Sequence, residues 1–328
     1  MRIAVTGSIA TDQLMTFPGR FSDQLIADQL HRVSLSFLVD DLQVRRGGCA
    51  ANIAFGMGCL GLRPTLVGAV GSDFADYRSW LERHGVDCES IHVSETHHTA
   101  RFLCTTDEEH NQIASFYTGA MAEARLIELG PVAQRIGGLD LVLISPNDPE
   151  AMLRHTAEAR QREIPFAADP SQQLARMPGE QIRELVDGAA YLFGNDYEKG
   201  MIEQKTGWSD EEILDRVGVR VTTLGPKGVV IDRKGEPPLH VPSAPEFGKV
   251  DPTGVGDAFR AGFLAALAWG LSLERCGQVG NLTATHVLEH VGGQEYELGQ
   301  KVFLERFVNA YGADAAAEVA AFVKCRHA

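Results

Sequence analysis

The stretch Asp251-Pro252-Thr253-Gly254-Val255-Gly256-Asp257-Ala258-Phe259-Arg260-Ala261-Gly262-Phe263 carries the residue types that a phosphoryl group would need around it. Gly254 and Gly256 permit a tight turn and close backbone approach, and they open onto a helical pattern. The N–H groups of Gly254, Val255 and Gly256 are expected to converge at a helix N-terminus, where the helix dipole also favours an anion. Asp257, in the first turn, stands beside that anion hole. Such an arrangement can stabilise charge on phosphoryl oxygens while the carboxylate takes a proton from an attacking hydroxyl. The plainer alternative is a helix start with Asp257 as its N-terminal acid, and composition alone does not separate the two.

Three further clusters come earlier. Arg46-Gly47-Gly48-Cys49-Ala50-Ala51-Asn52 offers a tight turn, then one polar side chain at the head of a helix. Asn195-Asp196-Tyr197-Glu198 follows the apolar run Tyr191-Leu192-Phe193. Polar groups at the carboxyl end of a parallel strand are where open α/β sheets bind ligands. Glu198 could hold Mg²⁺ through water, since that ion keeps several waters and takes few carboxylates. The alternative there is N-capping by Asn195 or Asp196. Thr223-Leu224-Gly225-Pro226-Lys227-Gly228 lies between two strand candidates and could cradle nucleotide phosphates. No G-x-x-x-x-G-K-[ST] and no strand–G-x-G-x-x-G–helix fingerprint occurs, which disfavours P-loop and dinucleotide chemistry. His286-Val287-Leu288-Glu289-His290 fits an H-x-x-E-H zinc pattern, but it reads as the end of an apolar helix rather than a metal site.

The elements that must position these groups follow from the apolar pattern. Strands are expected at Ile3–Thr6, Pro64–Val70, Leu139–Ile144, Pro165–Asp169, Ala190–Phe193, Val219–Thr223 and Gly228–Asp232. Helices are expected at Asn52–Leu60, Phe74–His84, Glu150–Arg162, Gly179–Leu185 and Asp210–Asp215. Beyond Asp257 come Ala258–Trp269, Leu273–His290 and Gly299–Ala321, with Gly270 as a C-cap. Val-, Ile- and Leu-rich strands without clean alternation suit a parallel sheet buried on both faces. The fold class is therefore α/β, a doubly wound and mainly parallel sheet. Residues 12–46 and 99–118 break the rhythm with alternating runs, Ser34–Val39 and Thr99–Thr105 among them, and predict an antiparallel hairpin set inserted as a lid. The remainder of 1–328 forms one core.

Charge and cysteine usage narrow the partners. With 30 basic and 44 acidic side chains the chain carries a net −14, which opposes nucleic acid and anionic lipid. A small anionic substrate is still admitted, because a local backbone site can hold phosphate on an acidic protein. Six scattered cysteines without a C-x-x-C pair, and a start without a basic flank or cleavage site, point to reduced thiols and a cytoplasmic location.

The four clusters in this order resemble those of the ribokinase-like carbohydrate and nucleoside kinases, the PfkB family, over nearly the whole chain. Ala4–Asp12, Ser34–Asp41, Ala114–Tyr117 and Ala167–Leu174 resemble in particular the adenosine kinases of mycobacteria and other actinobacteria. The resemblance implies an ATP-dependent adenosine kinase, with Asp257 as base toward the nucleoside 5′-hydroxyl and Gly254, Val255 and Gly256 as the anion hole. It implies that Asp12, Gly48 and Asn52 hold ribose hydroxyls, while Ser8, Ser36, Gln172 and Gln173 address the nucleoside. Phe102 and Phe116 would supply apolar faces from the lid, or else simply pack it. Asn195, Thr223, Gly225, Gly228 and Gly256 would line the ATP site, Glu198 would place Mg²⁺ through water, and potassium is a further cofactor the family admits. Lid hairpins that pair between subunits imply a homodimer. Val255 in place of the usual alanine, and Cys49-Ala50-Ala51 in the first glycine motif, keep the small-residue character. A ribokinase- or fructokinase-like sugar kinase and a non-catalytic nucleoside or sugar sensor are the competing expectations.

Overall fold

The computed structural model describes residues 1–25, 27–32 and 36–324. Its strands run in chain order as β1 (Ile3–Thr6), β2 (Ala10–Thr16), β3 (Asp41–Gly47), β4 (Thr65–Val67), β5 (Ala69–Val70), β6 (His92–Val93) and β7 (Ala100–Thr106). There follow β8 (Gln112–Tyr117), β9 (Leu141–Ile144), β10 (Phe166–Ala168), β11 (Tyr191–Asn195), β12 (Val219–Thr223), β13 (Val229–Asp232) and β14 (Leu239–Val241). The main sheet has the order β14-β13-β12-β11-β10-β9-β1-β4. Every neighbouring pair from β12 to β4 is parallel, and β13 and β14 add an antiparallel edge.

The parallel strands β1, β4, β9 and β10 are buried at every residue, as strands covered on both faces must be. One face packs the helices Cys49–Cys59, Val255–Ala268 and Leu273–Leu288 around Phe55, Phe193 and Phe263. The other face packs Pro149–Gln161 and Gly179–Val186 around Met152, Ile182 and Leu192. The chain leaves β1 toward β4 on one side, while β9 begins the series on the other. This reversal opens a crevice beyond the carboxyl ends of β1 and β9.

A second sheet, β3-β2-β7-β8, stands over that crevice. It occupies the expected lid segments, beginning two residues earlier at Ala10. Its pairing departs from the expectation: β2 and β7 are parallel, so the sheet is mixed rather than a purely antiparallel hairpin set. The two strands approach from separate core crossings, and a parallel pair cannot be closed by a tight turn. Of the expected run Ser34–Val39, residues 34 and 35 lie outside the described residues, and 36–39 are irregular; the strand starts at Asp41.

Two other expected elements divide. Pro64–Val70 becomes β4 and β5, which bend apart at Gly68 to join different sheets. Gly299–Ala321 becomes the helices Gln300–Tyr311 and Ala313–Ala320, broken at Gly312. Gly270 is left-handed after the end of Val255–Ala268, as a helix stop requires. His286 and His290 each set a ring nitrogen on a backbone carbonyl, of Glu297 and His286 respectively, while Glu289 pairs with Arg306 at 2.6 Å. That segment is a helix end tied to its neighbours.

Candidate active site

A cavity of about 470 Å³ lies between the crevice and the lid sheet. Ser8, Asp12, Gly48, Asn52, Phe116, Gln172, Gln173, Gly254 and Asp257 all reach its wall, although they come from five separate parts of the chain.

Local backbone geometry explains the two glycine clusters. Gly48 has φ 94° before the helix Cys49–Cys59, and a Cβ there would lie 2.6 Å from Ser8 O and 2.7 Å from Ala10 N. Only glycine lets this helix start press against the exit of β1. Ser8 Oγ accepts the first N–H of that helix, from Cys49, at 3.0 Å, and Ser8 lines the cavity. Gly254 is left-handed at φ 77° and caps Val255–Ala268, with Gly293 Cα 2.7 Å from where its Cβ would be. Asp251 braces the loop by accepting the N–H groups of Thr253 and Gly292, each at 2.9 Å. Burial works against its charge, yet these bonds and Arg45 hold it below the ordinary carboxylate range.

The anion hole differs in one donor from the sequence expectation. Val255 N–H turns back to Pro252 O at 3.3 Å. The open donors at this helix start are those of Gly256 and Asp257, with Gly254 just before them.

Asp257 sits on the cavity wall with burial raising its carboxyl to about 6. A hydrogen bond from Asn52 Nδ2 at 2.8 Å and the positive charge of Arg260 pull the other way, while Asp169 pushes it further up. A carboxylate tuned to that range is suited to accept a proton near neutral pH. Asn52, expected to hold a ribose hydroxyl, lines the cavity and gives one of its donors to Asp257; it is 7% exposed. Asp12 is also raised by burial, opposed by Arg45.

The expected ATP-site residues lie at the ends of β11 and β12. Asn195 and Thr223 are paired across β11 and β12 at their carboxyl ends. Asn195 and Glu198 form a reciprocal capping box for the helix Asp196–Thr206, so the capping alternative is realised. Glu198 also accepts from Ser171 at 3.1 Å and lies 4.0 Å from Arg260, which connects it to the base helix. Gly225 and Gly228 shape the turn after β12; Gly228 packs against Val241 and Ser243.

Ser36 is exposed on the irregular segment and does not reach the wall. Phe102 lies between Asp12 and Phe116 in one cross-strand row, on the same face, but only the outer two line the cavity. Sequence reasoning missed Arg46, Cys49, Met121, Arg176 and Gly293 in the wall. It also missed the Asp169–Arg260 pair behind it, although both residues lie within quoted stretches and an arginine amid the apolar run Ala258–Phe263 is a signal in itself.

A family model for the pfkB family carbohydrate kinases matches residues 10–298. A nucleoside kinase of Methanothermobacter thermautotrophicus is 32% identical over 288 residues, 87% of this chain and 92% of that one. A nucleoside kinase of Methanocaldococcus jannaschii is 33% identical over 250 residues, 76% of this chain and 80% of that one. The solved nucleoside kinase of Burkholderia thailandensis in complex with inosine superposes with a TM-score of 0.81 at 32% identity, covering 95% of this chain and 98% of that one. The same protein has been solved in complex with ADP-inosine.

Proposed function

This chain belongs to the pfkB family of carbohydrate kinases, and from that premise we propose that it is a nucleoside kinase, transferring the γ-phosphoryl group of ATP to the adenosine 5′-hydroxyl to give AMP and ADP. One observation carries the reading: the carboxylate of Asp257 lies in the wall of a nucleoside-sized cavity at the same helix start whose open N–H groups can hold a phosphoryl group. In-line transfer needs little covalent chemistry from the protein, so positioning and charge stabilisation must do most of the catalysis. Asp257 takes the hydroxyl proton as the oxygen attacks, and the open N–H groups at Gly256 and Asp257 meet the charge on the transferred group.

The nucleoside is favoured over a free sugar by room and by composition of the wall. A cavity of about 470 Å³ exceeds what a lone pentose fills, and it falls in the roughly 300–1,000 Å³ range of drug-sized ligand sites. Asp12 faces it as a hydroxyl acceptor, Phe116 gives an apolar face, and the Gln172 and Gln173 amides can read a purine edge. Such amides suit a 6-amino or a 6-oxo group, so the choice of adenosine over inosine rests on the resemblance in sequence.

Glu198 fits a magnesium ion brought in on nucleotide phosphates and held through water, because each of its oxygens has one protein donor and lone pairs to spare. Among the described residues no three His, Cys, Asp or Glu side chains converge as a metal cage. When bound, such an ion would neutralise phosphate charge. The lid sheet exposes Leu42 and Val44 on β3 and Ile113 on β8, and it is there that a second copy would pair.

The test is ADP release by the purified protein with ATP, Mg²⁺ and, in turn, adenosine, inosine, guanosine, cytidine, ribose and fructose. Adenosine should give the highest kcat/KM. Inosine ranking first would move the substrate within the class. Transfer to a free sugar with none to a nucleoside, or binding without ADP release, would overturn the reading.

A further inference from the structure

The hydrogen bond from Asn52 to Asp257 is the last link of a chain that runs behind the cavity wall from Gly47. Tyr77 Oη donates to Gly47 O at 2.9 Å, so its oxygen is left as an acceptor. Gln294 Nε2 donates both to that oxygen, at 2.5 Å, and to Asn52 Oδ1, at 2.9 Å. Asn52 Nδ2 is thereby turned toward Asp257 Oδ2. Each link fixes the direction of the next. Gln294 is fully buried, and its Oε1 has no partner. An amide that leaves one end unsatisfied in the interior gives up stability, and here that amide holds its nitrogen against two acceptors. The backbone cooperates: a Cβ on Gly293 would lie 3.0 Å from Asn52 Nδ2, so the segment Gly292–Gln294 can lie flat on the Asn52 amide.

We propose that Gln294 and Tyr77 are positioning residues for the catalytic base, setting the Asn52 amide so that it always donates to Asp257 Oδ2 and leaves Oδ1 to receive the substrate proton. An amide free to rotate could turn its own oxygen toward the carboxylate or swing its N–H groups away from it. That would oppose ionisation of the base and misdirect its open lone pair. Tyr77 keeps its proton throughout the working range because burial drives its ionisation far upward. The chain therefore does not reverse with pH. The other ionisable groups around Asp257 are Arg260 on its own helix, Asp169 beyond β10, Cys49 at the head of the neighbouring helix and buried Tyr296. None of them belongs to the chain of donors, so removing Gln294 leaves their charges in place.

The inference rests on the kinase reading, and the experiment separates the two. Turnover is measured against pH for wild type, Gln294→Met, Tyr77→Phe, the double variant and Asp257→Asn. Gln294→Met keeps the side-chain length but loses both donors. Its acid limb should move up by about one pH unit, so kcat at pH 6 falls roughly fivefold while kcat near pH 8.5 stays within about twofold. KM for the nucleoside should change little. Tyr77→Phe should give a smaller shift of the same sign, and the double variant should match Gln294→Met, as members of one chain must. An unmoved acid limb, or an equal loss at every pH, would overturn the positioning role. If Gln294→Met does not fold, the profile of Tyr77→Phe decides by the same criterion. Wild-type-like turnover in Asp257→Asn would instead sink the kinase reading itself.

Discussion

Arg260 grips Asp169 with two parallel hydrogen bonds, of 2.5 and 2.6 Å, across 91 residues of sequence, and the two side chains are 5% and 1% exposed. The arginine lies one turn after Asp257 and also donates to Gly256 O at 3.0 Å. A buried two-point pair of this kind fixes the base helix against the end of β10. It also keeps the guanidinium against the carbonyl of Gly256 at the start of that helix. Breaking it strands a buried charge, which typically costs about 3–5 kcal/mol. Arg260→Ala should therefore lower the urea midpoint sharply. Arg260→Lys, unable to make a bidentate contact, should recover only part of it. A midpoint unchanged in Arg260→Ala would show that the pair is not holding the helix.

The pH dependence of turnover follows from the base. Asp257 must be ionised to accept a proton, and burial raises it to about 6. The acid limb of kcat/KM should therefore fall near pH 6, well above the range of an ordinary carboxylate. Asp257→Asn should reduce kcat by roughly 10²–10⁴-fold with nucleoside affinity retained, as measured by calorimetry and initial rates.

The same shift makes a statement about stability, with its sign reversed. A carboxyl raised in the folded state holds its proton more tightly there than in the unfolded chain. Between about pH 4 and pH 6 the fold thus loses stability as pH rises. Above that window Asp257 is a buried anion that opposes folding. Asp257→Asn should then melt higher than wild type at pH 8, by about 1–3 kcal/mol, with the difference shrinking at pH 5. An equal melting temperature at both pH values would count against the burial of this carboxylate.

Asp12 faces the cavity from the lid, where it can accept two ribose hydroxyls. Asp12→Ala should raise KM for the nucleoside about 10–100-fold, equivalent to roughly 1.5–3 kcal/mol for hydrogen bonds to a charged acceptor. KM for ATP should hardly move. Equal effects on both substrates would show that Asp12 supports the lid rather than the sugar.

The lid also bears on assembly. Val44 and Ile113 are 60% and 49% exposed on the two edge strands β3 and β8. Light scattering should give twice the chain mass for the wild type and a single chain for Val44→Glu with Ile113→Glu, since charge on an edge strand blocks pairing. A wild type that runs as one chain would discard the dimer.

Much of this was legible in the sequence because it is local. Gly254 and Asp257 announce themselves by spacing, and Gly48 by its place before a helix. The buried strand β9 reads as an uninterrupted apolar run, and β1 as one up to Thr6. What the sequence concealed is pairing at a distance. Nothing in the run around Gln294 predicts Asn52 as its partner, 242 residues away. Nor does the alternation in Ala100–Thr106 tell whether its neighbour runs parallel or antiparallel, because side-chain period is the same in both. Asn195 and Glu198 are a mixed case: the spacing that suggests a ligand site is also the spacing of a capping box, and the helix they start uses both.

The row of residues at the core-side end of the lid has a mechanical meaning. Gly47, Ala10 and Ala100 lie directly side by side, with Tyr117 opposite the next residue, Arg101. All four strands therefore cross from core to lid along one line. A plate tethered in this way can tilt about its fulcrum but cannot peel or slide. Asp12 and Phe116 sit about 7 Å out from that fulcrum, whereas the tip at Thr16 and Thr106 lies about 20 Å out, at roughly 3.3 Å per residue. Any given tilt moves the tip about three times as far as it moves the two cavity-lining residues. On the proposed reading, a tilt that widens the mouth for a nucleoside would leave Asp12 close to its place.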